Sequence, residues 1–398
     1  MTASVLVINS GSSSVKFAVY RSCASGGLER ILHGQIEDIE RAPHFSAHDP
    51  AGSIVRQPLA AYPDPDQTRE AAFSHLLAWL QNRQDKGALV AAGHRVVHGG
   101  ARFCEPVVID SSALAALDAL VPLAPLHQGH NVAGIRAMTQ IAPDLPQVAC
   151  FDTAFHATQT RLATLFALPA ELTDLGLRRY GFHGLSYEYV ASVLPDYLGA
   201  AAEGKVIVAH LGNGASLCAM RNRRSVATSM GFSPLDGLVM GTRPGSLDPG
   251  VLIYLIRERG MDADAIADLL YHRSGLLGVS GGSHDMRILL SSRETAAAEA
   301  IELFVYRAVS QIGALAAVLG GLDSLVFTAG IGEHASIIRK KICDALLWVG
   351  LEMDDGANAK HGPCLSMASS RCSAWVIPTD EELVIAGHAL RLVKTQHG

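Results

Sequence analysis

The sequence predicts an α/β fold built from two related domains. Residues 5–20 contain an apolar run, a small polar turn and a second apolar run, the pattern of two strands joined by a phosphate-facing turn. The same order returns at residues 205–220. In both halves strand patterns come first and helices alternate with strands afterwards, which indicates mixed sheets flanked by helices and a cleft between the domains.

Composition limits the classes of function. A chain of 398 residues can hold two or three domains of about 150 residues. Its net charge of −6 argues against a general attraction to nucleic acid or to an anionic membrane. The apolar stretch at residues 312–322 is far shorter than the ~20 residues that span a bilayer, so it predicts a buried helix and no membrane partner. Seven cysteines without a C-x-x-C pair, and no secretory leader, indicate a cytoplasmic protein with reduced thiols.

The first domain is expected over residues 1–151 plus about 385–398. A meander of strands should follow the opening hairpin, and then a helix whose apolar residues recur at helical spacing. The predicted strands lie at residues 31–37, 44–48, 53–57, 88–98 and 147–152, and the predicted helix at 68–83.

The second domain is expected over residues 152–384. Residues 155–200 fit neither repeat and indicate a helical insertion. The later strands are predicted at 224–230, 324–329 and 374–377, and the helices at about 250–259, 262–273, 294–320, 336–349 and from 380 onward.

The first turn is the first candidate site. Polar or glycine residues run from Asn9 to Ser14, and Lys16 follows. Backbone N–H groups and hydroxyls there can meet phosphate oxygens, Lys16 adds a cation, and the Asn9 amide can hold a magnesium-bound water. An ordinary polar hairpin turn is the alternative, which we disfavour because hairpin turns are usually much shorter. Ser13 and Lys16 also match the S-x-x-K motif of serine acyl-enzymes, but the chain lacks its S-D-N and K-T-G partners.

Two further glycine-rich segments are candidate phosphate sites. Residues 212–216 form the second turn, and residues 330–335 match G-x-G-x-x-A after a strand, with Glu352 near the place of a ribose-binding acid. That match ends the strand–helix repeat rather than opening a βαβ half. We therefore favour a role under the sugar or phosphates of a nucleotide over a dinucleotide site. A Walker A motif is absent from the sequence.

The remaining candidate site residues are arginines and histidines. Arg95 and Val97 share one side of a predicted strand, and a guanidinium beside an apolar residue suits a small carboxylate with a short hydrocarbon tail. An arginine paired with an acid at the edge of the core is an equal alternative. Arg243, in a Gly/Pro turn, can aim a cation at phosphoryl oxygens or can simply be solvated. His183 and His210 could donate to the same oxygens, although position alone does not select them among 17 histidines.

These motifs together resemble the acetokinase family of the acetate and sugar kinase, Hsp70 and actin superfamily. The similarity extends from end to end. The resemblance implies two duplicated ribonuclease-H-like domains of the actin-like ATPase type, an interdomain cleft and a homodimer. The matching motifs lie at residues 7–17, 93–100, 151–156, 179–184, 209–214, 240–249, 327–333 and 378–383.

The resemblance also implies an activity: reversible, direct in-line transfer of the γ-phosphoryl group of ATP to acetate, giving ADP and acetyl phosphate. Mg²⁺ is the implied cofactor, and Mn²⁺ is an expected substitute. The implied catalytic residues are Asp152, His183 and Arg243. The implied carboxylate pocket consists of Arg95, Val97, Leu126, Phe182 and Pro234. The implied metal residues are Asn9 and Glu381. The implied nucleotide residues are Ser12, Ser14, Lys16, His210, Leu211, Gly212, Asn213, Gly214, Asp285, Met286, Arg287, Gly330, Ile331, Gly332, Glu333 and His334.

Acetate is already ionised at neutral pH, so Asp152 is easier to explain as an orienting or magnesium-binding group than as a proton acceptor. The chain departs from the family at His334 and Asp380, where Asn is usual, and the loop at residues 280–287 is slightly longer. A propionate or broader short-chain carboxylate kinase is the alternative activity. A chaperone or filament protein on the same fold would lack a carboxylate pocket.

Overall fold

A computed structural model describes residues 2–11, 13–24, 26–39, 41–52, 54–83 and 87–396. The chain divides into two units, one made of the residues up to Ala154 together with those from Asp380 onward, the other of Phe155–Thr379. The sequence placed these boundaries after residue 151 and near residue 385. Asp152 belongs to unit 1 because its N–H donates to the Val96 carbonyl at 3.0 Å. Asp380 belongs there because it accepts a 2.8 Å hydrogen bond from the Tyr20 hydroxyl.

Unit 1 contains an eight-stranded sheet with helices packed against it. The strand order is β5-β4-β3-β2-β1-β6-β8-β7, in which β1 runs antiparallel to β2 and parallel to β6. Phe17, Phe45 and Phe73 lie in the core between the sheet and the first helix. The strands are β1 Ala3–Ser10, β2 Ser14–Ser22, β3 Leu28–Glu37, β4 His44–His48, β5 Ile54–Pro58, β6 Ala88–Val96, β7 Val107–Val108 and β8 Gln147–Phe151. The helices are α1 Pro65–Gln81, α2 Ser111–Ala119 and α3 Gln128–Ile141.

Unit 2 contains a five-stranded sheet and most of the helices. The strand order is β11-β10-β9-β12-β13. The strands are β9 Lys205–Leu211, β10 Ala215–Arg221, β11 Arg224–Thr228, β12 Ser324–Thr328 and β13 Ser373–Val376. The helices are α4 Arg161–Thr164, α5 Ala170–Asp174, α6 Gly184–Leu198, α7 Pro249–Arg259, α8 Ala263–His272, α9 Gly275–Ser280, α10 Met286–Ser291, α11 Thr295–Leu319, α12 Ala329–His334, α13 Ser336–Asp344 and α14 Asp355–Ala359.

The two sheets share one five-stranded arrangement. In unit 1 the order β3-β2-β1-β6-β8 has two antiparallel and then two parallel neighbours. In unit 2 the order β11-β10-β9-β12-β13 has the same directions. The strand–turn–strand pattern that repeats in the sequence forms the hairpin β1–β2 in unit 1 and the hairpin β9–β10 in unit 2.

Two helices, α15 and α11, bear on the predicted domain boundary and on the predicted buried helix. The last helix, α15 (Glu381–Gln396), packs against β6 and so belongs to unit 1. Helix α11 is long and apolar enough to cross a membrane by length and composition alone. Its residues Ile312, Leu315 and Leu319 are buried in unit 2, whereas Val318 is 59% exposed. The helix predicted for the apolar stretch at 312–322 is therefore present, but it is buried on one face only.

Candidate active site

The first turn is tighter than the sequence predicted. Asn9 and Ser10 belong to β1 and pair with Lys16 and Val15 of β2, so the ladder extends into the polar run. The turn is closed by the Gly11 N–H, which donates to the Ser14 carbonyl at 2.8 Å. The expected long turn is therefore wrong, because polar residues continue the strands.

This register places two predicted site residues together. Asn9 and Lys16 are direct cross-strand partners, so their side chains share one face of the hairpin. Lys16 is exposed, and Ser14 is half-buried at the start of β2. Predicted Ser12 lies outside the described residues.

A buried arginine that the sequence analysis missed supports the turn. Arg69 on α1 is 4% exposed, and its Nη1 donates to Ser10 Oγ at 2.9 Å and to the Gly11 carbonyl at 3.3 Å. A charged residue on the apolar face of a predicted helix is the signal that could have identified it.

Arg95 and Asp152 form a close ion pair in unit 1. Arg95 Nε donates to Asp152 Oδ1 at 3.0 Å, and Nη2 donates to Oδ2 at 2.7 Å. Glu381 Oε2 lies 3.8 Å from Arg95 Nε. Burial opposes the charge of Arg95, but the two carboxylates outweigh it and hold the arginine pKa above its usual value. The sequence left two interpretations of Arg95: a residue that binds a small carboxylate, or an arginine paired with an acid. The structure is compatible with both, because Arg95 is paired with Asp152 while its Nη1 takes no part in that pair.

The apolar residues expected around a carboxylate differ in exposure and belong to both units. Val97 follows the end of β6, which stops at Val96 rather than at residue 98 as predicted. Leu126 is 40% exposed before α3. In unit 2, Phe182 is 2% exposed. The Pro234 carbonyl accepts a 2.8 Å hydrogen bond from Arg243 Nη1.

His183 and His210 stack in unit 2, with ring centroids 4.1 Å apart. His183 pairs through Nδ1 with Ser216 Oγ at 2.8 Å, and the Tyr187 hydroxyl also contacts that oxygen. His210 pairs through Nδ1 with Ser186 Oγ at 2.8 Å. The backbone of His183 has φ +59°, which is uncommon for a residue other than glycine and marks a conformation imposed by its surroundings.

Arg243 and His183 converge on the second glycine turn. A Cβ on Gly214 would lie 2.7 Å from Arg243 Nη2 and 3.2 Å from His183 Nε2. The Asn213 carbonyl also accepts a 2.9 Å hydrogen bond from the Gly241 N–H, which joins the turn to the loop that carries Arg243. Burial lowers the pKa of Arg243 below its usual value. A small residue at position 214 therefore leaves space where two potential donors to phosphoryl oxygens meet.

A cavity of about 440 Å³ gathers many of the predicted nucleotide residues. This volume lies within the usual range for small-molecule sites. His334 is 76% exposed there. Asp285 caps α10 and pairs with Arg287, whose side chain lowers the Asp285 pKa to about 2. The lining residues are Gly212, Asn213, His284, Asp285, Met286, Arg287, Leu290, Gly330, Ile331, His334 and Ala335.

Other predicted nucleotide residues support the backbone instead of lining this cavity. Leu211 and Gly332 are buried. The Glu333 carboxylate accepts hydrogen bonds from the N–H groups of Ala329 at 2.8 Å and of Thr379 at 3.4 Å.

Buried Arg339, which the sequence analysis missed, closes the end of α12. Its Nη1 donates to the carbonyls of Gly332 at 2.9 Å and Glu333 at 2.8 Å. A cation that meets the last carbonyls of a helix is favourably placed. A basic residue between Ile338 and Ile342 on the buried side of α13 is the signal that could have found it.

Asp380, one of the departures from the family pattern, serves as an acceptor. Its Oδ1 accepts from the Tyr20 hydroxyl at 2.8 Å and from the Leu383 N–H at 2.9 Å, which caps the first turn of α15. Burial, and then the Asp380 charge, raise the pKa of Tyr20 above its usual value. Both contacts need only an oxygen acceptor, so Asp can take the place of Asn without loss of these bonds.

A sequence model of the acetokinase family matches residues 4–387. The duplicated core is that of the actin-like ATPase fold, and the class of protein is a kinase whose acceptor is a carboxylate. The chain belongs to the acetokinase family.

Individual relatives agree with this assignment. A protein from Rhodopseudomonas palustris named acetate kinase is 52% identical over 396 residues, covering 98% of this chain and 99% of its own. The crystal structure of Porphyromonas gingivalis acetate kinase has a TM-score of 0.88 at 35% identity, covering 98% of this chain and all (100%) of its own. A propionate kinase structure from Francisella tularensis has a TM-score of 0.90 at 37% identity, covering 98% and 99%. The predicted family and fold are confirmed.

Proposed function

We propose that this protein is an acetate kinase, which transfers the γ-phosphoryl group of ATP to acetate and releases ADP and acetyl phosphate, reversibly and with Mg²⁺. The observation that carries the proposal is Arg95, a guanidinium oriented by Asp152 and placed two residues before Val97. A fixed cation beside an apolar side chain suits a short carboxylic acid. The resemblance to acetate kinases over 98% of the chain supports the same acceptor.

In this proposal Arg95 binds the acetate carboxylate with donors that the Asp152 pair does not use. Asp152 holds the guanidinium in one orientation, since a charge-assisted bond to a carboxylate is strong and directional. Val97 and Leu126 of unit 1, and Phe182 and Pro234 of unit 2, are the residues proposed for the methyl group. An acceptor held in this way needs no base, because its carboxylate is already ionised at neutral pH.

Transfer itself needs positioning and charge neutralisation more than covalent help. An acetate oxygen forms a bond to the γ-phosphorus while the bond to the β,γ-bridging oxygen breaks, and ADP leaves with that electron pair. Arg243 and His183 donate to the transferring oxygens, as their convergence at Gly214 supports. Lys16 adds a cation from the first hairpin.

The nucleotide is proposed to bind unit 2. The cavity that Asn213, Asp285 and Gly330 help to line holds the adenosine part, and the glycine turn at 212–214 offers backbone N–H groups to phosphates. His210 and Ser14 complete the phosphate contacts. Gly332, Glu333 and Leu211 are proposed to support this site through the backbone.

The residues of unit 1 fit a magnesium ion. Asp152 and Glu381 both approach Arg95, and Asn9 presents an amide, so the available donors are hard oxygens. Among the described residues, groups of three or more His, Cys, Asp or Glu side chains able to hold a metal are absent. Mg²⁺ would therefore be held by Asn9 and Glu381 largely through waters, as this ion prefers. The ion would neutralise phosphate charge when bound.

We also propose that the enzyme is cytoplasmic and homodimeric. All seven cysteines are free thiols, which suits a reducing compartment. Helix α7 has no buried residue, and its Ile253 and Tyr254 are 51% and 52% exposed, which supports a second copy of the chain as its cover.

The activity is tested by offering Mg-ATP with formate, acetate, propionate or butyrate and trapping the acyl phosphate with hydroxylamine. We expect most acetohydroxamate and less propionohydroxamate, because Val97 limits the pocket and one methylene is worth about 1–3 kcal/mol. A preference for propionate would favour the propionate kinase alternative. No hydroxamate from any acid would reject the proposed function.

A further inference from the structure

In unit 1 the proposed site residues lie at the ends of β1 and β6. The direct pairing of these two strands stops before those residues. The parallel ladder between β1 and β6 ends at the pair Ile8 and His94. Beyond it, Asn9 and Ser10 pair only towards β2, and Arg95 pairs towards β8. The phosphate turn and the arginine strand therefore separate at this end of the sheet.

The Asn131 side chain crosses that separation. Asn131 on α3 is 4% exposed, and its Nδ2 donates to the Ser10 carbonyl at 2.7 Å while its Oδ1 accepts from the Val97 N–H at 3.0 Å. A primary amide offers a donor and an acceptor in one plane, as a peptide group does. Asn131 thus continues the hydrogen bonding between the strands past the point where their backbones part.

The surroundings hold this bridge in place. On the same helix, Gln128 accepts from the His98 N–H at 3.2 Å and donates to the His98 carbonyl at 3.1 Å. One turn further along the helix, α3 approaches the turn so closely that a Cβ on Gly134 would lie 2.9 Å from Ser10 Cβ. Helix α3 therefore contacts both segments over two turns, and the Asn131 amide is the group that touches both.

We propose that Asn131 is a positioning residue that fixes the phosphate turn, with Asn9 and Lys16, relative to the carboxylate-binding Arg95 and Val97. The inference rests on the proposed function and adds to it a residue that contacts neither substrate. Phosphoryl transfer depends on the alignment of acceptor and phosphate, and a displacement of about 1 Å can cost about 100-fold in rate. Loss of the bridge should thus disturb acetate binding and turnover together, and leave nucleotide binding to unit 2 intact.

The test compares Asn131→Leu and Asn131→Asp with the wild-type enzyme. Leu removes both hydrogen bonds, whereas Asp keeps the acceptor for Val97 but sets an oxygen against the Ser10 carbonyl. We expect both to raise the acetate KM and to lower kcat per folded enzyme, with kcat/KM for acetate falling at least about ten-fold. The ADP dissociation constant should stay within about two-fold, because the cavity and glycine turn proposed for the nucleotide in unit 2 are unchanged and ADP lacks the γ-phosphoryl group that the first turn is proposed to meet.

The matched control is Thr139→Val on the same helix, which removes the 2.8 Å hydrogen bond that the Thr139 hydroxyl accepts from Gln147 of β8. A merely structural role would give the Asn131 variants the behaviour of this control: a lower melting temperature with unchanged KM and unchanged kcat per folded enzyme. That result would overturn the inference. If neither Asn131 variant folds, Gly134→Ala, which pushes α3 away from Ser10, is judged by the same criteria. A wild-type enzyme inactive with every acid would reject the proposed function instead, before any variant is compared.

Discussion

His183 Nδ1 lies 2.8 Å from Ser216 Oγ, and this contact directs the opposite ring nitrogen towards Gly214. Ser216 lies across the β9–β10 ladder from His210, whose ring stacks on His183. A hydrogen bond at one ring nitrogen sets the tautomer and orientation of an imidazole. Ser216 is thereby a support for the proposed phosphoryl contact of His183.

Replacing Ser216 by Ala should lower kcat about ten-fold, because His183 loses the bond that fixes its ring. Initial rates at saturating substrates measure this. Ser324→Ala, which removes another buried hydroxyl of the same sheet, bonded to Ser373 at 2.8 Å, is the control and should stay within about two-fold of wild type. Equal rates for the two variants would show that Ser216 has no part in turnover.

Asp152→Asn should lower kcat about 100-fold and change the acetate KM much less. The substitution leaves Arg95 to bind the acetate carboxylate but removes the charge that orients its guanidinium at 2.7 Å, so bound acetate is misaligned for in-line transfer. Steady-state kinetics with acetate varied at saturating Mg-ATP separates the two constants. Near-normal turnover would exclude Asp152 from the reaction.

Arg95→Ala should act mainly on acetate binding. Loss of charge-assisted hydrogen bonds worth about 1.5–3 kcal/mol predicts a rise in the acetate KM of roughly 10- to 150-fold. Arg95→Lys retains the charge but loses the planar fork, so its KM should fall between those of Ala and the wild type. An acetate KM unchanged in Arg95→Ala would remove this residue from the carboxylate site.

Stability should fall in mild acid because of buried histidines. Burial lowers the pKa of His156 to about 4, and its ring nitrogens contact Ser225 Oγ and the Phe182 carbonyl. The unfolded chain takes up a proton near pH 6.5, whereas the folded chain does so only near pH 4. The stabilisation is therefore complete above pH 6.5 and decreases by about 1.4 kcal/mol per pH unit as the pH falls to about 4.

Melting temperatures from pH 7 to 4.5 check this effect. The fall should be smaller in His156→Gln than in the wild type, and unchanged in His272→Gln, whose side chain is exposed. Burial lowers the pKa values of His94 and His98 to about 4 as well, so part of the decline should remain in His156→Gln. Identical profiles for wild type and His156→Gln would contradict the prediction.

Association should depend on α7. Ile253→Glu places a charge on an exposed apolar helix and should convert a dimer into a monomer, as measured by light scattering. Leu162→Glu, at a residue that is 86% exposed on α4, should leave the mass unchanged. A monomeric wild type, or a dimeric Ile253→Glu, would contradict the proposed interface.

Much of the fold could be predicted from local sequence patterns. Two apolar runs around a polar turn are visible in a short window, which is why both hairpins and the duplicated sheet could be predicted. The end of β1 was placed too early because Asn9 and Ser10 are polar, yet Lys16 and Val15 pair with them. The polarity of a side chain does not mark where the backbone pairing of its strand stops, and Ser10 is in fact buried.

The site was predicted only where a motif existed. Arg95 and Asp152 could be named separately, but their ion pair joins residues far apart in the chain and required the β6–β8 pairing. Asn131 and Arg339 belong to no motif, and Ser216 lies at the end of the second glycine-rich segment without a predicted role; each acts through a contact formed only in the folded chain. Such supporting residues depend on tertiary packing, which one sequence does not reveal.

The central claim, phosphoryl transfer from ATP to acetate, is tested most directly by ³¹P NMR of the enzyme with Mg-ATP and acetate. The account predicts that the acetyl phosphate and ADP resonances grow together with the loss of ATP, and that acetyl phosphate with Mg-ADP regenerates ATP. Release of inorganic phosphate without acetyl phosphate, in the presence of ample acetate, would contradict it.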